Sequence, residues 1–436
     1  MLSTKQVARA IFQNTLATID IPATIERKLA LDHSRLLLPC ATMDLRDISR
    51  FVLIAIGKAA HSMVSGLTAL FPAHLRFEGI VVAPTTSSVA HPALRYFKGG
   101  HPIPNEDSVR AAHAILQLLR SCDSKTLVFF LLSGGGSALS ELPLEASLTL
   151  QDVQAVHRAL VTCGAPIDAM NTVRRHLSAV KGGRLALAAG DAQKVTLAVT
   201  DVPVGKEAAL ASGPTLPDPT TVADVQRIFQ EYDLSRHCPA SLQTWLDAGL
   251  MPESPKPGHP AFANAHFELL LGMEDLFHAA HHAAEAHGYL SFCDNSTDDY
   301  PVERAAADLL AQLEKWQLEN PEQRVAVIAD GEVSSPVTGK GIGGRNSAFI
   351  LACVEKIAGR KITVLSAGTD GIDGNSHAAG AVADGDTLDR AISAGLNPRD
   401  AFRDSDAYSF FAKLEDAIVT GPTGNNLRDL RILLSQ

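Results

Sequence analysis

The chain has 436 residues, 46% hydrophobic and 20% charged, a balance that excludes wholesale disorder and allows a large buried core. At roughly 150 residues per domain, two or three domains are expected. The net charge of −10 speaks against a nucleic-acid binder that works through bulk positive charge, so anionic ligands would have to be met by local Lys, Arg and backbone N–H groups.

Residues 1–20 (MLSTKQVARAIFQNTLATID) have the spacing of an amphipathic helix and lack the apolar core of a signal peptide. Short β-rich apolar runs follow, each ending in a glycine-rich or polar loop. FVLIAI (51–56) precedes Gly57-Lys58, and GIVVAP (79–84) precedes a Thr/Ser stretch. LVFFLL (127–132) precedes Ser133-Gly134-Gly135-Gly136-Ser137, and VTLAV (195–199) precedes Thr200-Asp201-Val202. VAVIA (325–329) leads into Asp330-Gly331-Glu332, ITVLS (362–366) into a loop with Asp370, and AIVT (417–420) into Gly421-Pro422-Thr423-Gly424. Continuous apolar runs of this length suit strands covered on both faces. The spacing predicts helices over 58–70, 108–119, 150–162, 273–287, 302–319 and 346–357. Such alternation implies an α/β architecture with mostly parallel sheets, whose ligands bind beyond the carboxyl ends of the strands. GLMPESPKPGHP (249–260), with four prolines and no periodicity, reads as a linker dividing the chain into 1–248 and 261–436. The strongest apolar run falls far short of the ~20 residues of a membrane span. Six scattered cysteines without a CxxC pair suggest reduced thiols and a cytoplasmic protein.

Lys58 follows a predicted strand and opens a predicted helix, where a movable cation beside free N–H groups suits a phosphate. The loop Ser133, Gly134, Gly135, Gly136, Ser137 lets the backbone approach an anion and adds hydroxyl donors. It matches neither a Walker A loop nor the GxSxG elbow, and a plain turn is the alternative. Arg174, Arg175, His176, Lys181 and Arg184, in a segment that Asn171 opens, form a basic run that could neutralise carboxylate or phosphate, and reads equally as a solvated helical face. Asp201 at a strand end suits Mg²⁺ or general-base work. Asp370 and Asp373 repeat the arrangement in GTDGIDGNS as metal candidates, with a turn as the alternative. The run 339–346 (GKGIGGRN) matches GxGxxG, but nine residues separate it from the preceding apolar run, which weakens a dinucleotide reading. Arg345, at the start of the next helix, could stabilise charge on a transferring phosphoryl group. His101-Pro102-Ile103-Pro104 reads as a rigid turn of the kind that lines clefts.

Taken together, AIGKAA (55–60), GGHPIP (99–104), SGGGSAL (133–139), MNTVRRHLSAVKGGRLA (170–186), TDVPVG (200–205), ASGPT (211–215), GKGIGGRN (339–346), AGTDGIDG (367–374) and TGPTGNNLRDL (420–430) resemble the class II glycerate 2-kinase family. The resemblance spans nearly the whole chain. It implies an α/β fold with an N-terminal Rossmann-like domain, a smaller α/β MOFRL domain at about 323–430, and an active site in the cleft between them. It further implies phosphorylation of D-glycerate at O2 by ATP with Mg²⁺, giving 2-phosphoglycerate. The family's catalytic lysine falls on Lys58 and its catalytic arginine on Arg345, with the Ser133–Ser137 loop and Asp201 in the same cleft. Asn425, where the family more often has Thr, and residues 293–300 depart from its pattern. The expected partners are D-glycerate and ATP, with neither nucleic acid nor membrane, and a homodimer is the assembly to look for. Chains of this kind also carry the name hydroxypyruvate reductase, so an NAD(P)H-dependent reductase is the rival enzyme. A sugar-acid-binding regulatory protein is the non-catalytic rival.

Overall fold

A computed structural model of the chain describes residues 2–32, 34–86, 90–202, 205–425 and 427–435. Part of the Thr/Ser stretch after residue 84, residues 203–204 of TDVPVG and residue 426 of TGPTGNN lie outside them. The chain forms two compact units, Ile21–Leu270 and Met1–Asp20 with Leu271–Gln436.

The main sheet of the Ile21–Leu270 unit has six strands: β1 (Arg50–Ile56), β2 (Phe77–Ala83), β3 (Leu94–Lys98), β4 (Thr126–Ser133), β5 (Gln193–Val199) and β6 (Ala265–Leu271). Their order across the sheet is β3-β2-β1-β4-β5-β6, and the first five are parallel. All eight residues of β4 are buried, which is why its apolar run is unbroken. Alternation divides the burial between two faces. Val52, Ile54, Ile56, Val128 and Phe130 join a core with the helix Glu106–Leu119, while Leu53, Phe129 and Leu131 are equally buried on the other face. A second core gathers Leu160, Val173, Phe229 and Trp245 from four helices, with Met251 from the segment that follows the last of them.

Residues 249–260 do not behave as a linker. Met251 and Ser254 are buried, Ser254 Oγ donates to Asp218 Oδ2 at 2.8 Å, and the chain then runs into β6. The four prolines supply an irregular strap that packs against helices. The division between units falls instead at 270/271, with residues 1–20 on the far side.

In the other unit, α1 (Thr4–Thr18) is the expected N-terminal helix, capped by Ser3 and burying Val7, Ile11 and Phe12. Its strands are β7 (Leu290–Asp294), β8 (Val325–Ala329), β9 (Ile362–Gly368), β10 (Gly380–Asp384), β11 (Ala417–Ile418) and β12 (Asp429–Ser435), in the order β7-β8-β12-β9-β10-β11. Only β7 and β8 pair in parallel; every other neighbour is antiparallel. The expectation of mostly parallel sheets therefore fails for this unit. Central β12 is fully buried, but Asp429 and Arg431 interrupt its apolar run, so it does not read as a strand. Among the described residues no helix is long and apolar enough to cross a membrane, and all six cysteines are free.

Candidate active site

β1 and β4 are the neighbours at which the strand order reverses, and ligands of open parallel sheets bind beyond the carboxyl ends at that point. Lys58 leaves β1 there and Ser133–Ser137 leaves β4. Lys58 N–H donates to Gly134 O at 2.9 Å, and Ala59 N–H donates to Ser133 Oγ at 3.0 Å. This close approach needs Gly57, whose φ is 141° and where a Cβ would stand 2.1 Å from Ser133 Oγ. Gly135 (φ 84°) turns the loop so that a Cβ would lie 3.0 Å from His101 Cδ2 and 3.5 Å from Lys58 Cγ. His101 thus stands beside Lys58 and the glycines. Burial, and next the Lys58 ammonium, lower its pKa, which keeps the ring neutral near pH 7. The helix expected from residue 58 begins at Ala60, which leaves Lys58 just ahead of it.

A hydroxyl chain extends from this loop. Ser212 Oγ donates to Asn171 Oδ1 at 3.0 Å, so in its 2.8 Å contact with Ser137 Oγ it accepts. Asn171 and Ser137 are joined by a residue the sequence reading did not single out, although Ser212 lies inside ASGPT. Ser212 and Ala211 hold φ values of 59° and 49°, a conformation that costs a non-glycine residue about 1 kcal/mol. Asp201 follows β5 at the same sheet edge and is partly buried.

The rest of the basic run goes elsewhere. Lys181 is buried and ion-paired with Glu141, which His157 also approaches. Burial pushes the Glu141 carboxyl up, but Lys181 and His157 together outweigh it and hold it low. Arg174 lines a small pocket with Glu141 and His157, and burial lowers its pKa. Arg175 pairs with buried Asp218 at 3.3 Å, and Arg184 donates to the Arg175 carbonyl. Expected as a substrate or phosphate ligand, Lys181 is instead an internal tie of the helical layer, while half-buried Arg174 stands at that pocket in the field of Glu141. The carboxylate partner of Lys181 lies 40 residues away in sequence, where no local pattern reveals it.

In the other unit, antiparallel pairing of Ala329 with Arg431 sets the start of β12 beside the exit of β8. Asp429 and Glu332 therefore share one edge, and both grip Arg345. Arg345 Nε donates to Asp429 Oδ2 at 2.5 Å, Nη1 donates to Glu332 Oε2 at 2.7 Å, and Nη2 lies 2.6 Å from Glu332 Oε1. Burial works against the Arg345 charge, but Asp429 and Glu332 outweigh it and raise its pKa further. Arg345, Asp370, Asp373 and Asp429 line a cavity of about 790 Å³.

Most amide donors of the GxGxxG loop are already taken. Ile342 N–H donates to Asp406, Gly343 N–H to Asn375, and Asn346 and Ser347 N–H to the Asp373 carboxylate. Ser347 Oγ also donates to Asp373 at 2.5 Å. Asp373 thus occupies the helix terminus that a pyrophosphate would need, and its oxygens are committed to a cap rather than to a metal. Asp370 Oδ1 accepts from Ile372 N–H at the cavity wall. Among the described residues no group of three or more His, Cys, Asp or Glu side chains forms a metal cage. Mg²⁺ needs only one or two carboxylates when nucleotide phosphates and waters complete its shell, so Asp201 in one unit or Asp370 in the other has the chemistry to supply one.

Comparisons with known proteins bear on both units. Residues 7–247 match a domain of unknown function, DUF4147, and residues 325–429 match the MOFRL family. A D-glycerate 2-kinase from Thermotoga maritima is 31% identical over 395 residues, covering 90% of this chain and 92% of its own. A protein from Agrobacterium vitis, provisionally named hydroxypyruvate reductase, is 34% identical over 440 residues, covering 99% and 95%. The crystal structure of a glycerate kinase from Thermotoga maritima superposes with a TM-score of 0.85 at 29% identity, covering 99% of each chain. The Lys58 and Ser133–Ser137 motifs lie in the first matched region and Arg345 in the second, and by these matches the chain belongs to the class II glycerate 2-kinase family.

Proposed function

We propose that the protein is a glycerate 2-kinase, transferring the γ-phosphoryl of ATP to O2 of D-glycerate. The O2–phosphorus bond forms as the bond from phosphorus to the β,γ-bridging oxygen breaks. ADP leaves, and the hydroxyl proton passes to a carboxylate, for which Asp201 is the candidate. The observation that carries this reading is the hydrogen-bonded convergence of Lys58 with the Ser133–Ser137 loop at the reversal of strand order. A cation beside glycine N–H groups suits an anionic substrate, and phosphoryl transfer relies on positioning and charge neutralisation. Ser137, Ser212 and Asn171 would orient hydroxyl groups of glycerate. Lys58 and Arg345 would both offset charge on the migrating group, so that each unit contributes one cation to one reaction. Mg²⁺ would arrive with the nucleotide and neutralise phosphate charge, with Asp201 or Asp370 as its protein ligand. The reading places the protein in the cytoplasm, which six free thiols support, and retains a homodimer as the assembly to look for.

The rival reductase would have to place its dinucleotide somewhere other than the GxGxxG loop, whose amides Asp373, Asn375 and Asp406 already occupy. The test is to mix protein, ATP, Mg²⁺ and D-glycerate and follow ³¹P NMR. The 2-phosphoglycerate resonance is expected. Folded protein that yields no phosphorylated product would remove the kinase reading, and 3-phosphoglycerate alone would remove the assignment to O2.

A further inference from the structure

The two acids that hold Arg345 are not equivalent. Asp429 takes the Nε edge, and its side chain is 5% exposed; Glu332 takes the outer edge through Nη1 and Nη2, and its side chain is 45% exposed. Asp429 belongs to a central strand, in register with Gly368. Glu332 stands on a loop, tethered by its backbone, with its N–H donating to Asp298 Oδ1 at 2.8 Å and its carbonyl accepting from Asp299 N–H. That tether fixes the main chain and leaves the carboxylate free to swing, with Arg345 as its partner.

Charge sharpens the contrast. One guanidinium faces two carboxylates, and Asp370 and Asp373 line the same cavity, so the surroundings of Arg345 are net anionic before any substrate arrives. A phosphate or carboxylate cannot use Arg345 while its outer edge is filled. The paired contact of Glu332 with the two terminal nitrogens has the fork geometry that a phosphate or carboxylate would adopt there.

We infer that Glu332 is a displaceable stand-in for the substrate anion: it holds the Nη edge of Arg345 in the empty enzyme and yields it to a phosphoryl or carboxylate group, while Asp429 anchors the Nε edge throughout. This inference rests on the kinase reading for its biological meaning, but its test does not require turnover. Glu332 acts through Arg345 and is a positioning residue.

The probe is inorganic phosphate, read by the thermal shift of the full chain and by its dissociation constant in isothermal titration calorimetry. Glu332→Gln removes a competing charge and is expected to tighten phosphate binding about fivefold, the scale of one partly exposed ion pair. Glu332→Asp keeps the carboxylate and is expected to stay within about twofold of the wild type. Asp429→Asn goes the other way, weakening phosphate binding about tenfold or more, because Arg345 loses its buried anchor. In an Arg345→Ala background the Glu332→Gln change should have no effect. If both acids served only to keep Arg345 folded in place, the Glu332→Gln and Asp429→Asn variants would shift together. Phosphate binding to Glu332→Gln that equals or falls below the wild type overturns the inference. Wild-type turnover measured in parallel separates the two readings: its absence removes the kinase, whereas a turning-over enzyme whose Glu332→Gln variant gains nothing removes the stand-in.

Discussion

Asp330 shows what one misplaced charge does in this fold. It is fully buried, neither carboxylate oxygen accepts a hydrogen bond, and its nearest ion-pair contact is Arg428 Nη1 at 4.0 Å. Burial pushes its pKa up to about 6 from an ordinary 3.8, against the opposing pull of Arg428 and Arg431. A carboxyl whose folded pKa is raised favours the fold while protonated, so this contribution is present below about pH 4 and is lost as pH rises through about 6. Asp330→Asn is therefore expected to be more stable than the wild type at pH 8 by on the order of 1–3 kcal/mol, with the gain gone below pH 4. Urea unfolding at the two pH values measures it, and an equal or negative difference at pH 8 would contradict the account. Single residues were legible in the sequence where they sat next to glycine: Lys58 and the Ser133–Ser137 loop announce themselves through Gly57 and Gly134–Gly136. Asp429 carries no such marker, and Glu332 and Ser212, though beside Gly331 and Gly213, have nothing else in their loops to single them out. Each becomes functional only through a partner brought close by strand register or by a strained turn, and register is not written in any local window.

At the scale of elements, continuous apolar runs and helical spacing carried most of the information. The helices over 150–162 and 302–319 have the expected limits, and four of the five parallel strands follow the expected runs. The strands Leu94–Lys98 and Asp429–Ser435 did not show, because one sits at a sheet edge with few buried positions and the other carries Asp429 and Arg431 inside an apolar run. The helix Arg345–Ile357 illustrates how an element depends on a distant residue. Its first free N–H groups, on Asn346 and Ser347, are satisfied by Asp373 from the loop after β9. Asp373→Ala strips three donors of their acceptor at a buried helix start. It should lower the unfolding free energy by about 2 kcal/mol, read by circular dichroism in urea. A loss below roughly 0.5 kcal/mol would mean that the cap adds little. The same cap explains why a sequence that matches GxGxxG offers no phosphate cradle at that loop.

For the whole molecule, the units are not consecutive in sequence. The chain begins in α1, which packs in the Leu271–Gln436 unit, crosses to build the parallel sheet, and returns at β6. Asn425, a departure from the family pattern, closes this arrangement by donating from Nδ2 to the Ile19 carbonyl at 2.7 Å. The amphipathic pattern of residues 1–20 was legible, but not its destination, since an apolar face does not name the surface that covers it. The proline-rich segment misled for the converse reason: composition suggested a spacer, and packing made it part of a core. The kinase reading proposes that Lys58 and Arg345 act on the same phosphoryl group. Lys58→Ala and Arg345→Ala are each expected to lower kcat by about 10²-fold or more, the scale of losing one transition-state donor. The most direct measurement is the double-mutant cycle on kcat with D-glycerate and MgATP. The account predicts strong non-additivity, with the double variant little worse than the poorer single variant, as for residues that act as a unit. Losses that simply multiply, or a single variant that keeps wild-type turnover, would contradict it.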